Sequence, residues 1–157
     1  MESIETVVIG GGQAGLSASY CLTARGRPHV ILERGRLGET WRSQRWDSFY
    51  LNSPNWATRL PGFHYRGSEP DAFASLRDVI TYLEDYARSF GAPIREGVDV
   101  TRVRREGDSF RVETDAATIQ AENVIVAAGA YQKPTPSPLW SALPPEIRVL
   151  HTSEYRR

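Results

Sequence analysis

Three glycines near the N-terminus have the spacing that is needed to bring a protein backbone against a phosphate group. Residues 10–15 read Gly-Gly-Gly-Gln-Ala-Gly, which fits the pattern G-x-G-x-x-G. The first glycine of this pattern makes a tight turn, the second lets the backbone approach a pyrophosphate, and the third lets a helix pack closely on a strand. Unpaired N–H groups at the start of that helix bind the anion without a nearby lysine or arginine. The predicted site contains Gly10, Gly12, Gln13, Ala14 and Gly15.

The segments on both sides of this loop support a dinucleotide site. An apolar strand pattern ends at Ile9, and the helix-forming stretch that follows the loop ends at Gly26. A second strand over 29–32 ends at Glu33, which lies 18 residues beyond Gly15. A carboxylate there accepts hydrogen bonds from both ribose hydroxyls and disfavours a 2′-phosphate, so this site is predicted to take FAD or NAD rather than NADP. The alternative is a glycine-rich surface turn with an unrelated acid. It is disfavoured because a strand, a helix, a second strand and an acid follow one another at the spacing of a dinucleotide site.

Charge and hydropathy exclude several classes of protein. The 19 Lys and Arg residues balance 19 Asp and Glu residues, for a formal net charge of +0. No large basic surface is therefore predicted to attract nucleic acid or anionic lipid. The first five residues are acidic rather than basic, and no apolar run approaches the ~18 residues that span a bilayer. We expect a cytoplasmic protein with no nucleic-acid partner and no membrane partner.

The few cysteines and histidines limit metal and thiol chemistry. The chain has one cysteine, Cys21, and three histidines. Within this chain, one cysteine excludes a disulfide and the paired redox cysteines of flavin disulfide reductases. Because Cys21 falls on the predicted first helix, we expect a buried structural thiol. No zinc-ligand spacing is present, and no metal site is predicted.

The remaining sequence predicts one α/β domain over residues 1–157. Its segments, in order, are an irregular aromatic-rich excursion (37–70), a helix (76–90), an antiparallel β-meander laid over the domain (98–121), a central parallel strand covered on both faces (124–128) and a proline-rich linker without a long helix (130–157). Long excursions in compact domains usually carry function or pack over a ligand. The arginines at 102, 104 and 105 are predicted to form the solvated edge of the meander.

Two further segments indicate a known family. Residues 38–42 (Gly-Glu-Thr-Trp-Arg) are similar to a G-G-x-W motif, with Glu39 in place of the second glycine, and residues 126–129 (Val-Ala-Ala-Gly) are similar to a strand end at which backbone meets a flavin cofactor. Together with the glycine loop, they make the chain resemble the FAD domain of two-dinucleotide-domain flavoproteins. Within that group it resembles the flavin-containing monooxygenase relatives, in a bacterial branch of flavoprotein oxidoreductases.

Two weaker matches extend the resemblance along the chain. Residues 50–54 are similar to a stretch in which some members place an asparagine beside the reactive ring, here Asn52. Residues 151–155 match the H-x-x-x-Y half of the signature F-x-G-x-x-x-H-x-x-x-Y, although Pro145 and Ile147 replace its Phe and Gly. Asn52 is the one catalytic candidate, and the alternative is a turn cap in an ordinary Asn-Ser-Pro turn.

Other residues keep two interpretations. His151, the histidine of the H-x-x-x-Y match, has two interpretations. It either lies near a nicotinamide cofactor or tethers a linker between domains. Aromatic residues of the excursion line a flavin or substrate pocket, or serve simple packing. These residues are Trp41, Trp46, Phe49, Tyr50, Trp56, Phe63 and Tyr65.

The resemblance implies a Rossmann-like FAD-binding fold and an oxygen-transfer reaction. NADPH would reduce the flavin, and oxygen would form a flavin peroxide that oxidises a small-molecule substrate. The cofactor carries the chemistry, while the protein holds the ring and excludes water. The implied FAD-binding residues are Gly10, Gly12, Gln13, Ala14, Gly15, Glu33, Arg34, Gly38, Thr40, Trp41, Ala128 and Gly129.

A second nucleotide loop is missing from the sequence. No further G-x-G-x-x-G follows the first, so we do not expect an NADPH site within this chain. The chain is expected to be the FAD-binding N-terminal portion of a longer NADPH-dependent enzyme, incomplete at its C-terminus. It could be a truncated product, a fragment or half of a split enzyme, as a homo-oligomer or with a partner chain that supplies the rest. The alternative is a non-catalytic or remnant dinucleotide-binding module. A small NAD-dependent dehydrogenase is disfavoured, because no Tyr-x-x-x-Lys is found.

Overall fold

The structure is a computed structural model that describes residues 2–129, 135, 137–152 and 154–156. Its strands are β1 (Glu2–Ile9), β2 (His29–Glu33), β3 (Tyr50–Pro54), β4 (Arg59–Leu60), β5 (Phe63–His64), β6 (Phe73–Ser75), β7 (Ile94–Glu96), β8 (Val100–Glu106), β9 (Ser109–Thr114) and β10 (Thr118–Val126). Its α-helices are α1 (Gln13–Thr23), α2 (Glu39–Ser43) and α3 (Leu76–Ser89), with 3-10 turns at Asn55–Ala57 and Pro138–Ala142. Residues 130–134, 136, 153 and 157 of the predicted linker lie outside the described part.

A six-stranded sheet organises the molecule. Its strand order is β7-β2-β1-β10-β9-β8, in which the first four strands run parallel and the last two pair antiparallel. The connection from β1 through α1 to β2 is the βαβ unit that a Rossmann-like fold requires. The predicted α/β fold with a parallel sheet and a small antiparallel meander is confirmed. In such sheets ligands bind beyond the carboxyl ends of the parallel strands, which points to the ends of β1, β2 and β10.

The two faces of the sheet bury separate apolar clusters. On one face, Val8 and Ile31 pack against Leu16 of α1 and against Leu83 and Tyr86 of α3. The second cluster contains residues of β1, β2, β9 and β10, namely Val7, Val30, Leu32, Val112, Ile119 and Ala121. Because successive strand residues point to opposite faces, adjacent residues such as Val7 and Val8 belong to different clusters. Both helices therefore lie on one face, and the meander contributes to the other.

The last parallel strand differs from its prediction. Residues 118–121 of the meander and the predicted strand 124–128 form one continuous strand, β10, which pairs with β1 from Ile119 to Val126. On its other side, β9 pairs only with residues 118–121 of β10. Val126 is 72% exposed, so the prediction that this strand is covered on both faces is wrong. The apolar run reflects the central position of β10 in the sheet. Within the described residues, however, the second half of β10 has a neighbouring strand, β1, on one side only.

The excursion after β2 contains more regular structure than its composition suggests. Strands β4 and β5 form a hairpin whose loop consists of two residues, Pro61 and Gly62. Gly62 has a positive φ of 71°, which glycine adopts in a tight turn without steric cost. The hydroxyls of Tyr82 and Tyr86 on α3 donate to the carbonyls of Phe63 and Pro61, at 2.9 and 3.0 Å. Strands of two residues leave no periodic pattern in a sequence, which explains why this hairpin was not predicted.

Helix α3 begins and ends where the sequence predicts. Ser75 and Asp78 form a capping box, in which the Ser75 hydroxyl accepts from the Asp78 N–H and the Asp78 carboxylate accepts from the Ser75 N–H. Gly91, with φ of 64°, follows the helix. Cys21 on α1 is half-buried rather than buried as predicted. Within the described residues, no helix combines the length and the hydropathy that a membrane crossing requires.

Tyr86 makes the stability of this fold sensitive to alkaline pH. Its side chain is fully buried, and this burial raises the pKa of the phenol from 10.0 to about 12. A buried phenol with a raised pKa contributes stability below pH 10 that is lost as the pH rises through about 12. We expect the free energy of unfolding to fall by about 2–3 kcal/mol across this range, measured by urea denaturation. The variant Tyr86→Phe should show a shallower decline, and an equal decline in both proteins would contradict the assignment.

Candidate functional site

A groove of about 720 Å³ lies beyond the carboxyl ends of β1, β2 and β10. We call it the FAD groove, because the residues that the sequence predicts to bind FAD line it. It brings together eleven of the twelve predicted FAD-binding residues, which are Gly10, Gly12, Gln13, Ala14, Glu33, Arg34, Gly38, Thr40, Trp41, Ala128 and Gly129. These residues come from four separate parts of the chain, and the sheet places them at one edge. The twelfth, Gly15, lies behind the groove wall, where α1 packs on β1.

The three glycines of the loop have three different reasons to lack a side chain. Gly10 has a φ of 108°, and a Cβ there would lie 2.5 Å from the carbonyl oxygen of Ala127. A Cβ on Gly15 would overlap the carbonyl oxygen of Gly10. Gly12 has ordinary backbone angles, and a Cβ there would meet no atom within 4 Å. The protein itself therefore requires glycine at Gly10 and Gly15, whereas open space on the groove side surrounds Gly12.

The start of α1 presents its backbone to this open space. Gly12 is the N-cap residue, and no side chain in the structure caps the helix. The first turn also contains no acidic residue that would occupy the positive end of the helix dipole. This arrangement leaves the first N–H groups of α1 without a side-chain partner, as an anion-binding helix start requires, and binding of an anion there stays a prediction.

Glu33 is held at the end of β2 by two glycine amides. Its Oε2 accepts a hydrogen bond from the Gly11 N–H at 2.6 Å, and its Oε1 accepts from the Gly35 N–H at 2.8 Å. A carboxylate has about four acceptor positions, so both oxygens keep capacity for ribose hydroxyls. The two bonds fix the side chain in the groove and connect it to the glycine loop and to the loop before α2.

A second carboxylate, which sequence reasoning missed, fixes the loop before α2. The Leu37 N–H donates to Glu96 Oε1 at 2.6 Å, and the Gly97 N–H donates to the carbonyl of Gly35 at 3.1 Å. Glu96 stands in register beside Glu33 on the neighbouring strand β7. The two glutamates thus hold two amides of one loop, those of Gly35 and Leu37. No local motif marks Glu96, because its role depends on the pairing of β2 with β7.

The start of α2 forms the opposite wall of the FAD groove. Gly38 has a φ of 71° and turns the chain into α2, so that Thr40 and Trp41 line the groove. Glu39, which replaces a glycine of the G-G-x-W motif, accepts from Arg36 at 2.9 Å, and this hydrogen bond lowers the pKa of the Glu39 carboxyl. The guanidinium of Arg45 lies 4.7 Å from the centre of the Trp41 ring and supports that ring by a cation–π contact.

The C-terminal segment returns to this same wall. Arg156 donates to the carbonyls of Ser43 and Arg45 at 2.9 and 2.8 Å, and the Asp47 N–H donates to the Arg156 carbonyl at 3.1 Å. His151, predicted to lie near a nicotinamide or to tether a linker, has a backbone N–H that donates to Glu154 at 3.0 Å. Neither predicted role of its imidazole is tested by these contacts. The C-terminal segment therefore helps to hold the wall formed by α2.

A second cavity, of about 870 Å³, adjoins the FAD groove, and Gln13 and Trp41 line both. We call it the hairpin pocket, because the β4–β5 hairpin, the segment 65–74 and α3 enclose it. Asn52 lies exposed on β3 and lines neither cavity. Its catalytic role stays a prediction. The described residues hold no group of three or more side chains that could ligate a metal ion.

Comparison with known proteins identifies the family. Residues 7–144 match the family described as pyridine nucleotide-disulphide oxidoreductase. The chain belongs to this family. Its one cysteine means that these 157 residues contain no disulfide pair, so they take the family's fold without the chemistry that gave it that name.

The individual relatives are named as oxidoreductases or monooxygenases, and one of them is a flavin monooxygenase. The chain is 35% identical over 153 residues to an uncharacterized CzcO-like oxidoreductase of Geobacillus kaustophilus, covering 97% of the chain and 43% of that protein. It is 30% identical to the indole-3-pyruvate monooxygenase YUCCA1 of Oryza sativa, covering 96% of the chain and 38% of that protein. It superposes on a mutant flavin monooxygenase from Stenotrophomonas maltophilia with a TM-score of 0.81 and 32% identity, covering 99% of the chain and 47% of that structure.

These comparisons confirm the resemblance to flavin-containing monooxygenases. They also confirm, at the level of the family, the predicted cofactors, FAD together with a nicotinamide nucleotide. One structural relative, for example, is a steroid monooxygenase bound to NADP. The chain spans less than half the length of the relatives described here.

The contrast between Gly12 and Gly15 gives a sharp test of the FAD groove. We expect Gly12→Val to leave the free energy of unfolding nearly unchanged, because a Cβ there meets no protein atom within 4 Å. It should lower FAD affinity by more than tenfold, because branched carbons would stand where the pyrophosphate meets the backbone. The measurement is calorimetric titration with FAD alongside thermal unfolding.

Two control variants complete this test. Cys21→Ser, on the same helix but outside the groove, should bind FAD as the unsubstituted chain does. Gly15→Val should lose binding through misfolding, since its side chain would overlap backbone. Undiminished FAD affinity in Gly12→Val would show that the glycine loop is only a turn.

Proposed function

We propose that this chain is the FAD-binding portion of an NADPH-dependent flavoprotein monooxygenase that transfers an oxygen atom to a small-molecule substrate. The observation that carries the proposal is the FAD groove, in which four distant segments supply the residues that a dinucleotide requires. The oxygen-transfer activity comes from the relatives, whose names describe monooxygenases. When bound, FAD supplies the redox chemistry that the side chains of this chain do not.

The residues of the groove fit the parts of FAD in order. The Glu33 carboxylate would accept hydrogen bonds from the adenosine ribose, and the amides at the start of α1 would face the pyrophosphate. Gly38, Thr40 and Trp41 would hold the part of the cofactor beyond the pyrophosphate. The strand end at Ala128 and Gly129 would close the groove from the side of β10. In this proposal the chain binds and orients the cofactor and keeps water from it.

The unpaired part of β10 supports a longer functional protein. Residues 122–126 of β10 lack a partner on the side away from β1 among the described residues, and Val126 is 72% exposed. Backbone N–H and C=O groups at such an edge are available to another strand. We propose that the segments which the relatives have beyond the matched region supply the NADPH site and cover this edge. The predicted homo-oligomer, split-enzyme partner and cytoplasmic location stay predictions.

The first test of this proposal is the identity of the cofactor. The purified chain should carry flavin absorbance, or gain it on reconstitution with FAD, because the FAD groove has a ribose acceptor and an open phosphate site. FAD should bind at least tenfold more tightly than NAD in calorimetric titration. A chain that takes up no flavin yet binds NAD with micromolar affinity would overturn the assignment in favour of a plain dinucleotide-binding module.

The second test concerns turnover. The FAD-loaded chain alone should not oxidise NADPH in a saturable way, because no second nucleotide loop holds the nicotinamide against the flavin and positioning supplies a large part of such rates. NADPH oxidation followed by absorbance measures this directly, with free FAD as the control for background reaction. Rapid, saturable consumption would mean that the NADPH site lies within these 157 residues after all.

A further inference from the structure

We propose that Arg156 is a positioning residue for the flavin half of the cofactor site. The FAD groove has two walls of different origin. The glycine loop and Glu33 would meet the ADP half of FAD, whereas Thr40 and Trp41 of α2 would meet the flavin half. Arg156 holds the α2 side, so its loss should weaken one half of the site and leave the other intact. This inference rests on the proposed function, because it takes FAD as the ligand of the groove.

Helix α2 depends on outside contacts for its position. It has five residues, and a helix of that length is not stable by itself. The last carbonyls of a helix also have no partner within the helix. Arg156 supplies donors at this end of α2. Its Nη2 donates to the carbonyl of Ser43, the last residue of α2, at 2.9 Å, and its Nη1 donates to the carbonyl of Arg45 at 2.8 Å. One planar guanidinium therefore fixes two carbonyls relative to each other.

The backbone of Arg156 and the ring of its neighbour hold the same segment. The Asp47 N–H donates to the Arg156 carbonyl at 3.1 Å. The centre of the Tyr155 ring lies 6.3 Å from that of Trp46, whose ring centre lies 5.0 Å from that of Phe49. The chain that follows α2 is thus held by side-chain, backbone and ring contacts from two adjacent residues.

Arg45 connects this attachment to the FAD groove. Its carbonyl accepts from Arg156, while its guanidinium lies 4.7 Å from the centre of the Trp41 ring and 5.8 Å from that of Phe49. Both Arg45 and Trp41 line the groove. A cation over the face of a ring is attracted to it, so the guanidinium keeps the Trp41 ring in place. Release of the Arg45 backbone would therefore release the Trp41 ring from its position in the groove wall.

A separate attachment keeps α2 on the domain when Arg156 is lost. Arg42 of α2 forms an ion pair with Glu84 of α3, and its Nε donates to the Leu37 carbonyl at 3.3 Å. Neither contact involves Arg156, which is itself exposed. Substitutions of exposed residues usually change the free energy of unfolding little. We therefore expect the loss of Arg156 to loosen the end of α2 without unfolding the domain.

The test compares two ligands that share the ADP half. The unsubstituted chain and the variant Arg156→Gln are each titrated calorimetrically with FAD and with ADP. We expect the variant to bind FAD about fivefold more weakly, an effect of the size of one hydrogen bond, and to bind ADP as the unsubstituted chain does. Equal FAD affinities, or an equal loss for both ligands, would overturn the positioning role. If the unsubstituted chain bound no FAD, the proposed function would fall, and this inference with it.

A matched control and a spectroscopic signal complete the test. Arg148→Gln, at an exposed arginine of the same C-terminal segment, should keep the FAD affinity of the unsubstituted chain. An indole stacked near a flavin quenches its emission by electron transfer, and Trp41→Phe gives the emission of the bound flavin without that indole. At saturating FAD, Arg156→Gln should shift the emission towards this value, and Arg148→Gln should not. Unchanged emission in Arg156→Gln, or the same weakening of FAD binding in Arg148→Gln, would overturn the proposal.

Discussion

The close approach of α1 to β1 is the constraint on which the rest of the site depends. At Gly15 the helix comes so near the strand that any side chain would overlap the carbonyl oxygen of Gly10. This contact fixes where the helix begins, and therefore where its free N–H groups point. Gly10 in turn lies so close to Ala127 that β10 must end at the same level. One steric requirement thus aligns two strands and a helix around the phosphate position.

Two neighbouring glutamates extend this alignment to the remaining walls of the FAD groove. Glu33 and Glu96 stand side by side at the ends of β2 and β7, and each accepts a backbone N–H from the loop that leads into α2. Hydrogen bonds to charged acceptors are stronger than those between neutral groups. The wall formed by α2, only five residues long, is consequently held by its surroundings rather than by its own helical stability.

The sequence predicted what depends on local patterns and missed what depends on long-range pairing. The glycine loop, Glu33 and the helix ending before Gly91 each carry a motif or a period, and the structure places them as expected. Glu96 carries none, because its role arises from the register of β2 with β7. The exposure of Val126 was missed for a related reason: an apolar strand looks the same in sequence whether it has one neighbour or two. The β4–β5 hairpin was too short to show alternation.

Two incompletely paired strands of the main sheet, β8 and the second half of β10, differ in how they meet other chains. The outer strand β8 is exposed along its length and carries arginines at positions 102, 104 and 105, and such charges discourage the edge-to-edge pairing that leads to aggregation. The free part of β10 instead presents valine and isoleucine at positions 124–126, with one charged residue, Glu122, at its start. Of these two strands, β8 is therefore protected against unspecific pairing, whereas the free part of β10, beside the FAD groove, is open to an added strand.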